Sequence, residues 1–148
     1  MPSIALNKGL RTTVGFRDLK KFGGQQWSAD GPRTKAEVYY AVGTVAGRKV
    51  YLHRAILNAP KGRRVDHKDG DTLNNRRSNL RLCTAVQNGH NRLNAAGVTY
   101  DRNRRRWAAR VQVEYRTINL GRFKTREEAT RVRRLAERKY FGKFAPKK

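Results

Sequence analysis

Positive charge is the feature that most limits what this chain can build. Its 148 residues carry 35 Lys and Arg against 11 Asp and Glu, a formal net charge of +24. A compact fold with that excess repels itself and gains order from a polyanionic partner. The excess is uneven: +10 over Met1–Arg64, +2 over Val65–Asn94 and +12 over Ala95–Lys148. Basic flanks therefore enclose a nearly balanced centre, the distribution expected if the flanks hold nucleic acid while the centre does chemistry on it. At this length the chain holds one ordinary domain or two very small ones, neither with a large buried core.

A membrane surface would also attract this charge, but no stretch has the length and apolarity of a spanning helix. The opening residues MPSIALNKGLRTTVGF lack an apolar run followed by a small-residue cleavage site, so a cytoplasmic location is expected. Cys83, the single cysteine, rules out an intrachain disulfide and any CxxC zinc arrangement, and is expected to be a small buried hydrophobe. Charge alone also suits an RNA-binding or ribosome-associated protein, but that reading does not account for the centre of the chain.

From Val65 to Arg92 the sequence reads VDHKDGDTLNNRRSNLRLCTAVQNGHNR and gathers Asp66, Asp69 and Asp71 in one short stretch. Acid concentrated in so basic a chain, beside an imidazole and a series of Asn, suits metal-assisted cutting of nucleic acid. A hard cation with oxygen ligands neutralises charge developing on a phosphate, and His67, neutral near pH 7, is the candidate base for the attacking water. The local signals predict a first strand over Arg63–His67, a long turn over Asp69–Asn79 and a second strand over Leu80–Cys83. Thr84 as N-cap with Gln87 at the third helical position then starts a helix that carries Asn88 one turn in. The DGD run favours tight backbone reversal, so Asp69 and Asp71 are expected to shape the turn, with Asn75 and Arg76 bracing it. Arg76 and Arg77 are candidate phosphate contacts; His53 is expected to pack or to touch phosphate, and His90 and Asn91 to lie on an ordinary polar helix surface.

Asp66-His67, Asn79 in SNLRL and Asn88 resemble the H-N-N form of the HNH endonucleases, with His67 to Asn79 spanning 12 positions and His67 to Asn88 spanning 21. Those intervals, and the phrase LHRAILNAPKGRRVDHKDGDTLNNRRSNLRLCT, are similar to homing endonucleases of the phage type. The resemblance implies a ββα-metal finger over about residues 63–94. His67 would be the general base and Asn79 the residue that orients it. Asp66 and Asn88 would hold one divalent cation, Mg2+ in the first place and Mn2+ as the alternative.

The flanks read as small sheets. EVYYAVGTVAGRKVYL, from Glu37 to Leu52, predicts a hairpin. Phe16, Leu19, Phe22 and Trp27 predict a short helix ended by Gly23-Gly24, with the aromatics packing. LNAAG, from Leu93 to Gly97, is the candidate linker. Beyond it, strands are predicted over Val98–Tyr100, Trp107–Glu114 and Thr117–Phe123. Thr125 and Glu128 form a capping box, starting a helix whose Ala129, Val132, Leu135, Ala136 and Tyr140 recur at helical spacing. GV, WAARV, LGRF, TREEA and FGKFA in this layout resemble the apetala-two/ethylene-response-factor domain. That resemblance implies a sheet lying in the DNA major groove, with Arg102, Arg104, Arg106, Arg110, Gln112 and Thr117 as contacts and Trp107 close to the contact surface. The NRRR loop and Asn119 depart from plant members, so a target sequence does not carry across.

The expected protein is thus mixed α+β, with an HNH module over 1–94 and a DNA-reading domain over 95–148. It would be a sequence-tolerant homing endonuclease acting on double-stranded DNA, as a monomer or a DNA-induced dimer, with no small-molecule substrate and no membrane partner. The alternative is a non-catalytic DNA-binding protein or repressor that retains an HNH scaffold.

Overall fold

A computed structural model describes residues 1–31, 38–90 and 97–146, and every strand among them pairs with a neighbour in sequence. The chain divides into two compact units, Met1–Ala85 and Val86–Lys148. Glu37, Asn91, the linker residues 93–96 and the 94/95 boundary lie outside the described residues. The mixed α+β class holds, with small antiparallel sheets and four α-helices among the described residues.

The first unit opens with β1 (Ser3–Ala5) paired to β2 (Arg11–Thr13), followed by α1 (Phe16–Phe22). As expected, the helix stops at the glycine pair, with Gly23 as its C-cap. Trp27 lies outside it and begins β3 (Trp27–Asp30), where its ring meets Phe22 edge-on at 6.1 Å and its indole N–H donates to the Phe22 carbonyl at 2.9 Å. Phe16, expected to pack, is instead 80% exposed, because the helix buries the opposite end of its short run.

The predicted hairpin is β4 (Tyr40–Val45) and β5 (Arg48–Tyr51), and β3 adds a third strand in the order β3-β4-β5. Its two-residue turn puts Ala46 and Gly47 both at positive φ, 48° and 72°, the backbone twist that matches two antiparallel strands. Next, α2 (Leu52–Leu57) buries Leu52 and Ile56 completely or nearly so. These residues join Ile4, Val14, Phe22, Trp27, Ala41 and Leu80 in one core, so the finger's second strand is anchored to the sheet and hairpin before it.

The ribbon of β6 (Arg64–His67), an extended turn and β7 (Leu80–Cys83) closes the first unit, and α3 (Ala85–His90) begins at its last residue and continues in the second, the order and nearly the bounds read from the sequence. Cys83 is fully buried.

The second unit holds β8 (Val98–Asp101), β9 (Arg106–Val113) and β10 (Arg116–Phe123) in one antiparallel sheet with β9 in the middle, packed on α4 (Arg126–Phe141). The capping box at α4 is formed: Thr125 Oγ1 accepts from the Glu128 amide at 3.1 Å and Glu128 accepts from the Thr125 amide at 3.4 Å. The helix's buried stripe differs from the expected one. Ala129 and Ala136 are covered, but Leu135 and Tyr140 are exposed, while Glu137 is buried against Arg133 at 2.9 Å. The covered face runs through Ala129, Ala136 and Glu137 with Val132 and Arg133 half-buried, and Leu135 falls on the other side of the helix. None of the helices among the described residues is long and apolar enough to cross a membrane.

Candidate active site

Register positions the central residues. In the β6–β7 ladder Asp66 stands opposite Arg81 and His67 opposite Leu80. Neighbours on a strand face opposite ways, so Asp66 and His67 look to different sides of the ribbon. Asp66 meets its cross-strand partner: Arg81 Nη2 lies 2.6 Å and Nε 2.7 Å from Asp66 Oδ2, with both side chains nearly buried. Asp66 was expected to hold a divalent cation. The ion pair is present, because the turn length sets a register that no motif spells out.

His67 is 5% exposed. Its Nε2 lies 3.1 Å from Asn75 Oδ1, and its ring meets His53 edge-on at 5.3 Å and Tyr40 at 6.4 Å. Burial lowers its pKa, opposed by the Asn75 hydrogen bond and by the charges of Asp69, Asp66 and Asp71. The imidazole is therefore neutral at pH 7, the form that accepts a proton.

Asn79, expected to orient His67, bonds within the turn. Its Nδ2 donates to Asp69 Oδ1 and to the Asn74 carbonyl, both at 2.8 Å, and its Oδ1 accepts from the Asp69 amide at 3.2 Å. It cross-braces the turn, while Asn75, expected only to brace, is the residue at the imidazole. Nothing in the letters separates two Asn four positions apart; only the path of the turn does. Asp69 and Asp71 shape that turn as expected, each accepting from the amide two residues on at 2.9 Å. Gly70 supplies the positive φ of 80°. Burial pushes the Asp69 carboxyl up, but the bonds from Asn79, Asn74 and the Asp71 amide outweigh it and hold it below the usual carboxylate range.

His53, one of the two outcomes expected for it, packs. Its ring lies 5.6 Å from both Tyr40 and Tyr51, and its Nδ1 is buried without a partner. Burial, with the His67 and Arg54 charges, pushes its pKa down to about 3. Two imidazoles kept neutral make the first unit acid-sensitive. The unfolded chain takes up their protons below about pH 6.5, whereas burial resists that uptake in the fold, so stability is lost as pH falls below 6.5, for His53 down to about pH 3. Urea unfolding followed from pH 6.5 to pH 5 should show a loss approaching about 1.4 kcal/mol per pH unit from His53, with a further loss of the same sign from His67, and His53→Phe should make the dependence shallower. A wild-type stability that stays level over this range would contradict the neutral pair.

The expected phosphate contacts of the finger are partly engaged. Arg77 grips Asp18 through Nε at 3.1 Å and Nη2 at 2.9 Å. Asp18 is 1% exposed, and a buried carboxylate requires such a partner, so Arg77 serves the fold. Arg76 is half-buried, with Nη2 against Met1 Sδ. Asn88 sits on α3, half-buried. Among the described residues no group of three or more His, Cys, Asp or Glu gathers as a metal cage.

In the second unit the sheet face away from α4 collects most of the expected DNA contacts. Arg106, Arg110 and Gln112 alternate along β9, and Thr117 stands opposite Gln112. Arg102 and Arg104 are exposed in the turn before β9, where Asp101 accepts from the Arg104 amide at 3.1 Å. Asn119 and Arg122, not anticipated, share this face opposite Arg110 and Ala108. Trp107 does not. It has the parity of buried Ala109 and Val111, and packs on Tyr100 at 5.2 Å and beneath Arg126 at 5.8 Å, on the helix side.

Residues 50–90 match the HNH endonuclease family. The HNH match thus runs from the end of β5 through α3 and contains Asp66, His67, Asn75, Asn79 and Asn88. An uncharacterized HNH endonuclease of Acanthamoeba polyphaga mimivirus is 32% identical over 105 residues, covering 66% of this chain and 56% of that protein. The chain thus spans little more than half the length of this relative. No solved structure matches.

Proposed function

We propose that the chain is a metal-dependent DNA endonuclease that hydrolyses phosphodiester bonds, of the phage homing type. The observation that carries this reading is His67: a buried, neutral imidazole at the end of β6, fixed by Asn75 and adjacent to Asp66, inside the HNH-matched residues. His67 takes the proton from the water that attacks phosphorus. Asn75 holds the ring directly, and Asn79 acts one step back, by keeping the turn between Asp69 and Asn79 closed.

The donor set suits a hard divalent cation. Asp66 offers a carboxylate and Asn88, by its interval of 21 from His67, a carboxamide oxygen, both ligand types of Mg2+ and Mn2+. Such an ion, retaining waters and binding the scissile phosphate, would supply charge stabilisation at the phosphate and the leaving oxygen. Arg81 already pairs with Asp66, so a cation held by that carboxylate would share it with the guanidinium. DNA as the substrate is supported by the net charge of +24 and by the open face bearing Arg106, Arg110, Gln112 and Thr117, which would read the site as an apetala-two-like domain does. The protein would act as a monomer or a DNA-induced dimer.

The ion pair also favours one competing reading, a DNA-binding protein that keeps the scaffold without cutting. Purified protein incubated with double-stranded DNA should nick or cut it in Mg2+ or Mn2+ and not in EDTA. Binding without cleavage under all ionic conditions would establish the non-catalytic alternative.

A further inference from the structure

The hydrogen bonds behind His67 begin in the N-terminal hairpin, outside the HNH-matched residues. Thr12 on β2 is fully buried. Its hydroxyl donates to the Leu73 carbonyl at 2.8 Å and accepts from Asn75 Nδ2 at 2.7 Å. A hydroxyl has one proton, and a carbonyl only accepts, so the proton is committed to Leu73 and the oxygen faces Asn75 as an acceptor. Asn75 must then present its NH2 end to Thr12. The other end of a planar amide is its oxygen, and that oxygen is the atom 3.1 Å from His67 Nε2. An acceptor there requires Nε2 to carry the proton, which leaves Nδ1 as the basic nitrogen.

We propose that Thr12 is a positioning residue for cleavage: through Asn75 it sets which ring nitrogen of His67 is protonated, making the N-terminal hairpin part of the catalytic apparatus. The proposal rests on the reading of His67 as the base. The strand is held there without the hydroxyl, since the Asn75 amide donates to the Thr13 carbonyl at 2.8 Å and the Thr13 amide to the Leu73 carbonyl at 2.9 Å. Removing the hydroxyl therefore alters the polarity of the chain of bonds more than its path. In Thr12→Val the Asn75 nitrogen keeps only the Thr72 carbonyl at 3.5 Å, and little then discriminates between the two amide orientations. The flipped amide offers N–H to Nε2 and selects the tautomer whose Nδ1 is already protonated and does not act as a base.

The test uses the full chain with 15N-labelled histidine, reading ring tautomers by long-range proton–nitrogen NMR, alongside kcat and KM for cleavage of double-stranded DNA in Mg2+. Wild type should show neutral His67 protonated on Nε2. Thr12→Val should shift the ring toward the Nδ1–H form and lower kcat by roughly tenfold or more with little change in KM, as part of a general-base contribution is lost, and Thr12→Ser should restore both. Wild-type His67 protonated on Nδ1 overturns the proposal with no variant needed, as does a Thr12→Val protein with unchanged spectrum and kcat. A spectrum that shifts in Thr12→Val while His67→Ala still cuts supports the relay and removes the base assignment instead, so the two failures are distinguishable.

Discussion

Cleavage by His67→Ala is expected to fall about a hundredfold or more, the scale of a lost general base, while affinity for DNA stays near that of the wild type. The separation follows from where the ring sits. It is 5% exposed, burial keeps it neutral, and its neighbours Asn75, His53 and Tyr40 carry no net positive charge for a phosphate to seek. Alanine also opens a hole beside His53, so His67→Gln, closer in volume, should be assayed in parallel with an unfolding measurement on each variant. Both variants should bind DNA in a filter or gel assay and cut poorly. Cleavage at the native rate by a folded His67→Ala protein would remove the imidazole from the mechanism.

How far that site could be read from letters depends on how local each signal is. The finger's strands and the start of α3 were legible because turn chemistry brackets them: DGD opens the long turn, Thr84 and Gln87 mark the helix, and Leu80 to Cys83 has no rival role. The second unit's sheet and its capped helix were legible for the same reason, as was the shared face of Arg106, Arg110 and Gln112, which needs only the alternation of a strand. What stayed hidden depends on contacts distant in sequence. Thr12 and Asn75 are 63 residues apart, and β1 and β2 are too short to show a pattern. Arg81 faces Asp66 only once the register is known, and Asp18 claims Arg77 across 59 residues. Trp107 was misplaced for a simpler reason: it interrupts a run of arginines, yet parity puts it on the helix side with Ala109.

Affinity for DNA should drop by about a thousandfold or more between roughly 50 and 200 mM salt, if six or more phosphates are contacted and their counterions released. A net charge of +24 makes that number of contacts easy to reach, and the exposed arginines of the second unit are placed for it. The same titration sorts those arginines by role. Asp101 engages Arg104 at 3.5 Å and Arg122 at 3.3 Å, which steadies both and offsets part of their charge. Arg106 and Arg110 stand on the open face of β9, with Arg110 Nη2 3.3 Å from Thr99 Oγ1 and directed along the sheet. If both contact phosphates, removing the pair should reduce the slope of log affinity against log salt by about 2 and weaken all sequences alike. If they contact base edges, each should instead cost about 1–3 kcal/mol at particular positions of a preferred site and leave the slope nearly unchanged. A wild-type affinity that does not respond to salt would remove the electrostatic basis for nucleic-acid binding and reopen the membrane surface as the partner of the basic flanks.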